Sequence, residues 1–261
     1  MDIKAIMAYE LDVMTQIHRF CEEHKLTYYL IFGTPLGAVR HDGLIPWDDD
    51  IDIAMPRKDY EYFLQHFDLE NYGVYSYKNN KQYPLAFAKA FHRGTVKKED
   101  VWQPEGYEIG VDVDIFPLDE FPAASCSQHQ IKWRRRVLYF WGQSIAKNRH
   151  TRTTKAVLGN ILRFCLRGRA NTFAKLLSRR ATGLSKPGNY YMLYTDGSTK
   201  APHVYDKAIF AERELHKFES QEFYICKGYD AFLTQCYGDY MTPPPEDKRI
   251  THHSFVAYEK A

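Results

Sequence analysis

The chain has no run of about 18 apolar residues, so the sequence predicts no helix long and apolar enough to cross a bilayer. Cysteine is scarce, with five residues at positions 21, 126, 165, 226 and 236 and no CxxC spacing. An odd, scattered set in a chain of 261 residues argues for reduced core thiols and a cytoplasmic compartment. The first residues, MDIKAIMAYELD, carry acids from position 2 onward and do not read as a secretory signal. Internal repeats and low-complexity linkers are also missing. A balance of 44% hydrophobic and 26% charged residues excludes a disordered or fibrous chain.

Charge of one sign is absent from a long stretch. Between Glu120 and Asp196 there is no Asp or Glu, yet that stretch holds 15 of the 35 Lys and Arg. The remainder carries 20 basic residues against all 33 acidic ones. A basic segment inside an acidic frame calls for a partner of negative charge. Within it, Lys132, Arg134, Arg135 and Arg136 stand among Trp133, Tyr139, Phe140 and Trp141, a mixture suited to a lipid interface. An anionic membrane surface reached through residues 131–180 is therefore one expected partner, and a polyanionic acceptor is the alternative. A helical lobe whose arginines are merely solvated would give the same composition. Nucleic acid is disfavoured, because no nucleic-acid-binding motif accompanies the charge.

What is present orders itself along the chain. Apolar residues at steps of three and four predict an amphipathic helix over 2–25. Residues 28–32 read as a buried strand stopped by Gly33. Thr34-Pro35 resembles an N-cap followed by proline at the first helical position, opening a short helix to Arg40. A loop over 41–47 leads into a strand over 48–55, ended by Pro56 and followed by a helix to about residue 67. Further strands are expected at 73–77, 85–91, 109–116 and 222–225, with a helix at 229–237. The segment 125–182 has helical periodicity in two or three pieces.

Chemistry concentrates at Asp50-Ile51-Asp52-Ile53. On a strand, alternate side chains share a face, so Asp50 and Asp52 lie together, with Asp48 at the same parity. Adjacent carboxylates repel unless a cation holds them, and oxygen-only ligands select Mg²⁺ or Mn²⁺. Upstream, Gly33-Thr34 ends a strand and opens a helix, whose free backbone N–H groups suit phosphate. A second acidic strand, Val111-Asp112-Val113-Asp114, supplies a third carboxylate. Together these features match the nucleotidyltransferase-fold pattern.

The runs 32–43 (FGTPLGAVRHDG) and 45–52 (IPWDDDID), then 114–119 (DIFPLD), then 237–245 (YGDYMTPPP) with Lys248, Arg249 and His252 behind it, resemble the LicD family of phosphocholine and related phospho-alcohol transferases. The resemblance spans nearly the whole chain in family order. Pro35 stands where the family usually has an aliphatic residue, a change that fits the first turn of a helix.

The resemblance implies an α+β (mixed α/β) fold with a nucleotidyltransferase-like mixed sheet, flanking helices and a basic helical lobe. Residues 1–120 would form the catalytic core, 121–195 the lobe, and 196–261 a segment returning to the active site. It implies transfer of phosphocholine from CDP-choline to a hydroxyl of a teichoic acid, lipopolysaccharide or capsule precursor, with release of CMP. The acceptor could be lipid-linked, in which case the enzyme would be peripheral on the inner face of the membrane. Asp50, Asp52 and Asp114 are assigned as metal ligands, with Asp114 also the general base; Asp112 is its alternate and Asp48 a supporting acid. Gly33, Thr34, Arg40, Lys89, Arg249 and His252 would contact the donor. Trp47 and Tyr107 are candidates for an aromatic cage around a quaternary ammonium. The same carboxylates would serve a nucleotidyltransferase that attaches a nucleoside monophosphate. A non-catalytic adaptor that binds membrane or polyanion through the basic segment is the rival from another class.

Overall fold

The computed structural model describes residues 1–99, 107–123, 127–145, 154–197, 203–249 and 255–260. The chain opens with α1 (Ile3–His24), capped by the Asp2 carboxylate, which accepts from Ala5 N at 2.9 Å. Then come β1 (Tyr29–Leu30), α2 (Gly33–His41), β2 (Asp52–Pro56), α3 (Arg57–His66), β3 (Tyr72–Tyr75), β4 (Ala88–His92), β5 (Thr95–Glu99) and β6 (Asp112–Phe121). The basic segment forms α4 (Gln128–Ile145), α5 (Thr154–Cys165) and α6 (Thr172–Leu184). After it follow β7 (Tyr190–Leu193), β8 (His203–Asp206), β9 (Arg213–Phe218), β10 (Gln221–Cys226), α7 (Tyr229–Tyr237) and β11 (Phe255–Glu259).

The main sheet runs β1-β2-β6-β4-β3, with β7 and β8 continuing beside the far half of β6. Only the β2–β6 pair is parallel among these pairings, and it sets Asp52 against Asp114. On its other edge β6 runs antiparallel to β4, setting Lys89 opposite Asp114. The sheet is mixed, as the sequence predicts, and the fold is α+β.

Alternation then sorts the side chains. Ile53, Met55, Val113 and Ile115 join Ala88 and Ala90 in a core with Val13, Met14 and Ile17 of α1 and Phe63 of α3. Asp52, Asp114, Asp112 and Lys89 have the opposite parity and share the other face.

Several expectations need correction. The strand expected at 48–55 begins at Asp52, not at residue 48, so residues 48–50 form a loop arriving at the sheet. Asp disfavours strand, and three in succession favour a turn. The strand expected at 109–116 runs from 112 to 121, and that at 85–91 starts at Ala88. Strand β7, within 121–195, belongs to the sheet and not to the helical lobe. The cysteines are not uniformly core: Cys21 and Cys226 are buried, while Cys165 is exposed.

The helical lobe packs on the sheet through Leu138, Ala174, Leu177 and Ala181 against Phe121, Met192 and Tyr194. Arg134 is the exception inside the basic cluster. It is fully buried, donates to the carbonyls of Tyr194 and Asp196 at 2.8 Å each, and pairs with the Asp196 carboxylate. It anchors α4 to the end of β7 and is no part of a cationic surface; Arg135 and Arg136 are exposed.

Candidate active site

The site is built where three chain segments meet. The first is the entrance to α2. Phe32 is the residue before the helix and holds φ 54°, a left-handed conformation that a bulky side chain pays for in strain. Its ring packs edge-on against Phe116 and His203. The helix starts at Gly33, so Thr34 lies inside it and does not cap it, contrary to the sequence reading. The Thr34 hydroxyl instead accepts the backbone N–H of Asp52 at 2.8 Å, tying α2 to the first residue of β2. No side chain caps α2; the Thr34 N–H donates to Ile31 O at 3.2 Å and Pro35 has no N–H, so of the first-turn donors only those of Phe32 and Gly33 are left for a ligand. Gly33 has a spatial reason: a Cβ there would meet Asp48 Oδ2 at 2.5 Å.

The second segment is the acidic loop. One carboxylate oxygen from each of Asp48, Asp49 and Asp50 lies within 4.8 Å of the others. Burial, together with Asp50 and Asp49, pushes the Asp48 carboxyl up to about 7. Asp52, at the end of this loop, is also raised well above the ordinary carboxylate range by burial and by Asp50, Asp114 and Asp48. Sequence reasoning missed Asp49, whose position between two chosen acids put it on the wrong face of a strand that does not yet exist there. Such a crowd of oxygens in a half-dry pocket fits a hard divalent cation, whose charge would remove the repulsion.

The third segment is the pair β4 and β6. Lys89 Nζ lies 2.5 Å from Asp112, 2.9 Å from Asp114 and 3.2 Å from Glu99, and is buried. Asp112 is also 3.1 Å from Lys97, itself buried, and these two ammonium groups outweigh burial and hold its carboxyl down at about 2. Asp112 is thus the counter-ion of two buried lysines. Burial raises Asp114, Lys89 pulls it back, and the carboxyl stands at about 7. Nearby, Glu10 of α1 is fully buried, has no hydrogen-bond partner and sits 3.9 Å from Lys97. Burial holds its carboxyl well above the ordinary carboxylate range. No sequence signal marked Glu10 or Lys97 beyond a charge on an apolar helix face and a charge on a strand.

The remaining assigned residues fall into two groups. Arg40, at the end of α2, donates to Tyr240 O at 2.7 Å. Burial and the charge of Arg249 depress its affinity for its proton, so the Arg249 charge reaches it. Arg249 lies over the Trp47 ring at 5.3 Å and donates to Pro244 O at 2.8 Å. Two cations within reach of each other are costly unless an anion lies between them. The charges of Asp52, Asp48 and Asp50 reach the Tyr237 hydroxyl of α7. Tyr107 sits with Tyr75 and Tyr83, ring centroids 6.1 Å from each, on the Lys89 side of the site. Trp47 has ring contacts with His41 and Arg249 instead, so the two proposed cage residues lie in different clusters. His252 lies outside the described residues.

Comparison with known proteins bears on this arrangement. Residues 25–140 match the family model described as LicD/FKTN/FKRP, nucleotidyltransferase domain. The lipopolysaccharide cholinephosphotransferase LicD of Haemophilus influenzae is 30% identical over 260 residues, covering 95% of this chain and 94% of that protein. An uncharacterized protein of Rickettsia typhi is 39% identical over 82 residues, 31% of this chain and 26% of its own.

Proposed function

Because the chain belongs to the LicD family, we propose that it transfers phosphocholine from CDP-choline to a hydroxyl of a cell-surface glycan precursor, releasing CMP. The lipopolysaccharide named for the Haemophilus relative is the acceptor class that this reading favours. The observation that carries the reading is the convergence of Asp52 and Asp114, in register on parallel strands, with the acidic loop 48–50 and the uncapped start of α2.

The residues divide the work. Asp50, Asp52 and Asp114 would hold Mg²⁺ or Mn²⁺, with Asp48 and Asp49 completing an all-oxygen surround. Bound there, the cation supplies neutralisation of charge on the transferring phosphoryl group. Arg40 and Arg249 would supply positive charge for the diphosphate, and the Phe32 and Gly33 N–H groups at the start of α2 would add donors. Lys89 holds Asp114 in place and sets its charge. Asp114, ionised when the cation is bound, would take the proton of the attacking hydroxyl. The cluster of Tyr75, Tyr83 and Tyr107 offers aromatic faces to a trimethylammonium group, which cannot donate strong hydrogen bonds.

Turnover of CDP-choline with Mg²⁺ and a lipopolysaccharide precursor tests the reading: CMP should be released with phosphocholine on the glycan. Release of pyrophosphate from CTP in the presence of a phosphorylated small molecule would support nucleotidyl transfer instead. A panel of CDP-alcohols tests the cage. Choline should be preferred over glycerol, and equal use of the two would remove the reason for an aromatic subsite.

A further inference from the structure

Helix α5 turns apolar residues outward. Val157, Ile161 and Phe164 recur at steps of four and three, so they form one stripe, and they are 53%, 54% and 79% exposed. No described side chain of α5 is buried; Ala156, Leu158 and Leu162 are only half-buried, and α5 packs along α4. A helix of 12 residues is marginal in water unless a face is covered. On α4, Tyr139 and Phe140 are exposed as well, with their rings edge to face at 5.5 Å. On α4 the cations Lys132, Arg135 and Arg136 are exposed too, one turn or two before Tyr139 and Phe140.

We propose that the α4–α5 surface docks the protein on an anionic lipid bilayer, with Val157, Ile161 and Phe164 entering the acyl boundary and the flanking cations meeting lipid phosphates. The charge complementarity is one-sided: no acid lies anywhere in 121–195 to answer these cations within the lobe's own sequence. A soluble polyanion would satisfy the arginines but leave Phe164 and Ile161 in water. A second copy of the same surface would bury the stripe but oppose like charges. An anionic bilayer satisfies both features, since apolar burial and electrostatic attraction add there. The proposal concerns a surface built only from α4 and α5, and it needs neither donor nor acceptor, so it stands or falls apart from the reaction proposed above.

The test is sedimentation of the full-length chain with phosphatidylglycerol-containing vesicles at low salt, beside pure phosphatidylcholine vesicles. The triple variant Val157→Ser, Ile161→Ser, Phe164→Ser alters exposed positions only, and its circular dichroism should match the parent. We expect binding to the anionic vesicles only, weakened by added salt as screening shortens to about 10 Å or less. The triple variant should bind at least about tenfold more weakly, because affinity scales with buried apolar area. In a Phe164→Trp variant, brominated lipid should quench fluorescence beyond the level seen with the four native tryptophans. No binding at low salt overturns the proposal. So does binding that the triple variant retains in full, which would place adhesion on cations alone. Self-association in solution that disappears with Phe164→Ser, without vesicle binding, would assign the stripe to a second copy instead.

Discussion

Asp52 is a carboxylate whose ionised form is disfavoured by its surroundings without a cation. It is raised by burial and by Asp50, Asp114 and Asp48. A carboxyl raised in the folded state contributes stability that is fully present below the ordinary carboxylate range and is lost as pH climbs through its folded value. Asp52→Asn should therefore raise the melting temperature of the metal-free protein near about pH 8, with the gain fading toward about pH 4. The same variant should lose roughly 100-fold or more in Mg²⁺-dependent turnover. Full activity would remove Asp52 from the metal site. Lys89 presents the opposite case. It neutralises Asp112 and Asp114 in the interior, so Lys89→Met strands buried charge and should cost about 3–5 kcal/mol in a urea titration. A loss below about 1 kcal/mol would mean that Lys97 alone can carry the cluster.

Single elements hold the site at two places. Helix α2 is pinned to β2 by one bond from Asp52 N to Thr34 Oγ1. Thr34→Val keeps the shape and removes the acceptor, leaving a backbone donor unmatched, so stability should fall by about 1–3 kcal/mol. The Mg²⁺ dependence should loosen in the same variant, because Asp52 is no longer fixed against α2; unaltered metal dependence would show that the bond only stabilises. Helix α4 is pinned to the sheet by Arg134 on Asp196 and Tyr194. Arg134→Ala should destabilise by about 3–5 kcal/mol, whereas Arg135→Ala, on the exposed side, should change little. Equal effects from the two arginines would refute the burial of Arg134.

For the whole molecule, metal and pH are linked through the acidic face. Asp48 and Asp114 stand at about 7 without a cation, and Asp52 is higher than its ordinary value. Binding a divalent ion must displace those protons, so Mg²⁺ should raise the melting temperature more at about pH 8 than at about pH 5.5. Asp112, held at about 2, contributes in the other direction: its stability is present above the ordinary carboxylate range and is lost only in strong acid. Calorimetry at the two pH values decides this. A Mg²⁺ shift that is the same at both would mean that the metal binds groups already ionised, and the acid loop would not be its seat.

Much of this arrangement is written locally. The alternation of Ile51 and Ile53 with Asp50 and Asp52, the Gly33-Thr34 junction and the 114–119 run are short-range patterns, so sequence reading located both acidic segments, placed α1, α2 and α3 and identified the family. A pattern of local spacing cannot say which strands become neighbours. Only tertiary structure set Asp52 against Asp114, because that depends on the parallel β2–β6 pairing of segments 62 residues apart in the chain. It also decided the roles of like residues. Lys89 reads from sequence as a donor contact and Arg134 as part of a cationic surface, yet both are buried counter-ions, because long-range packing brought carboxylates to them. Asp49 and Glu10 were invisible for the same reason: a carboxylate's function follows from the water and charge around it, and those are set by residues distant in sequence.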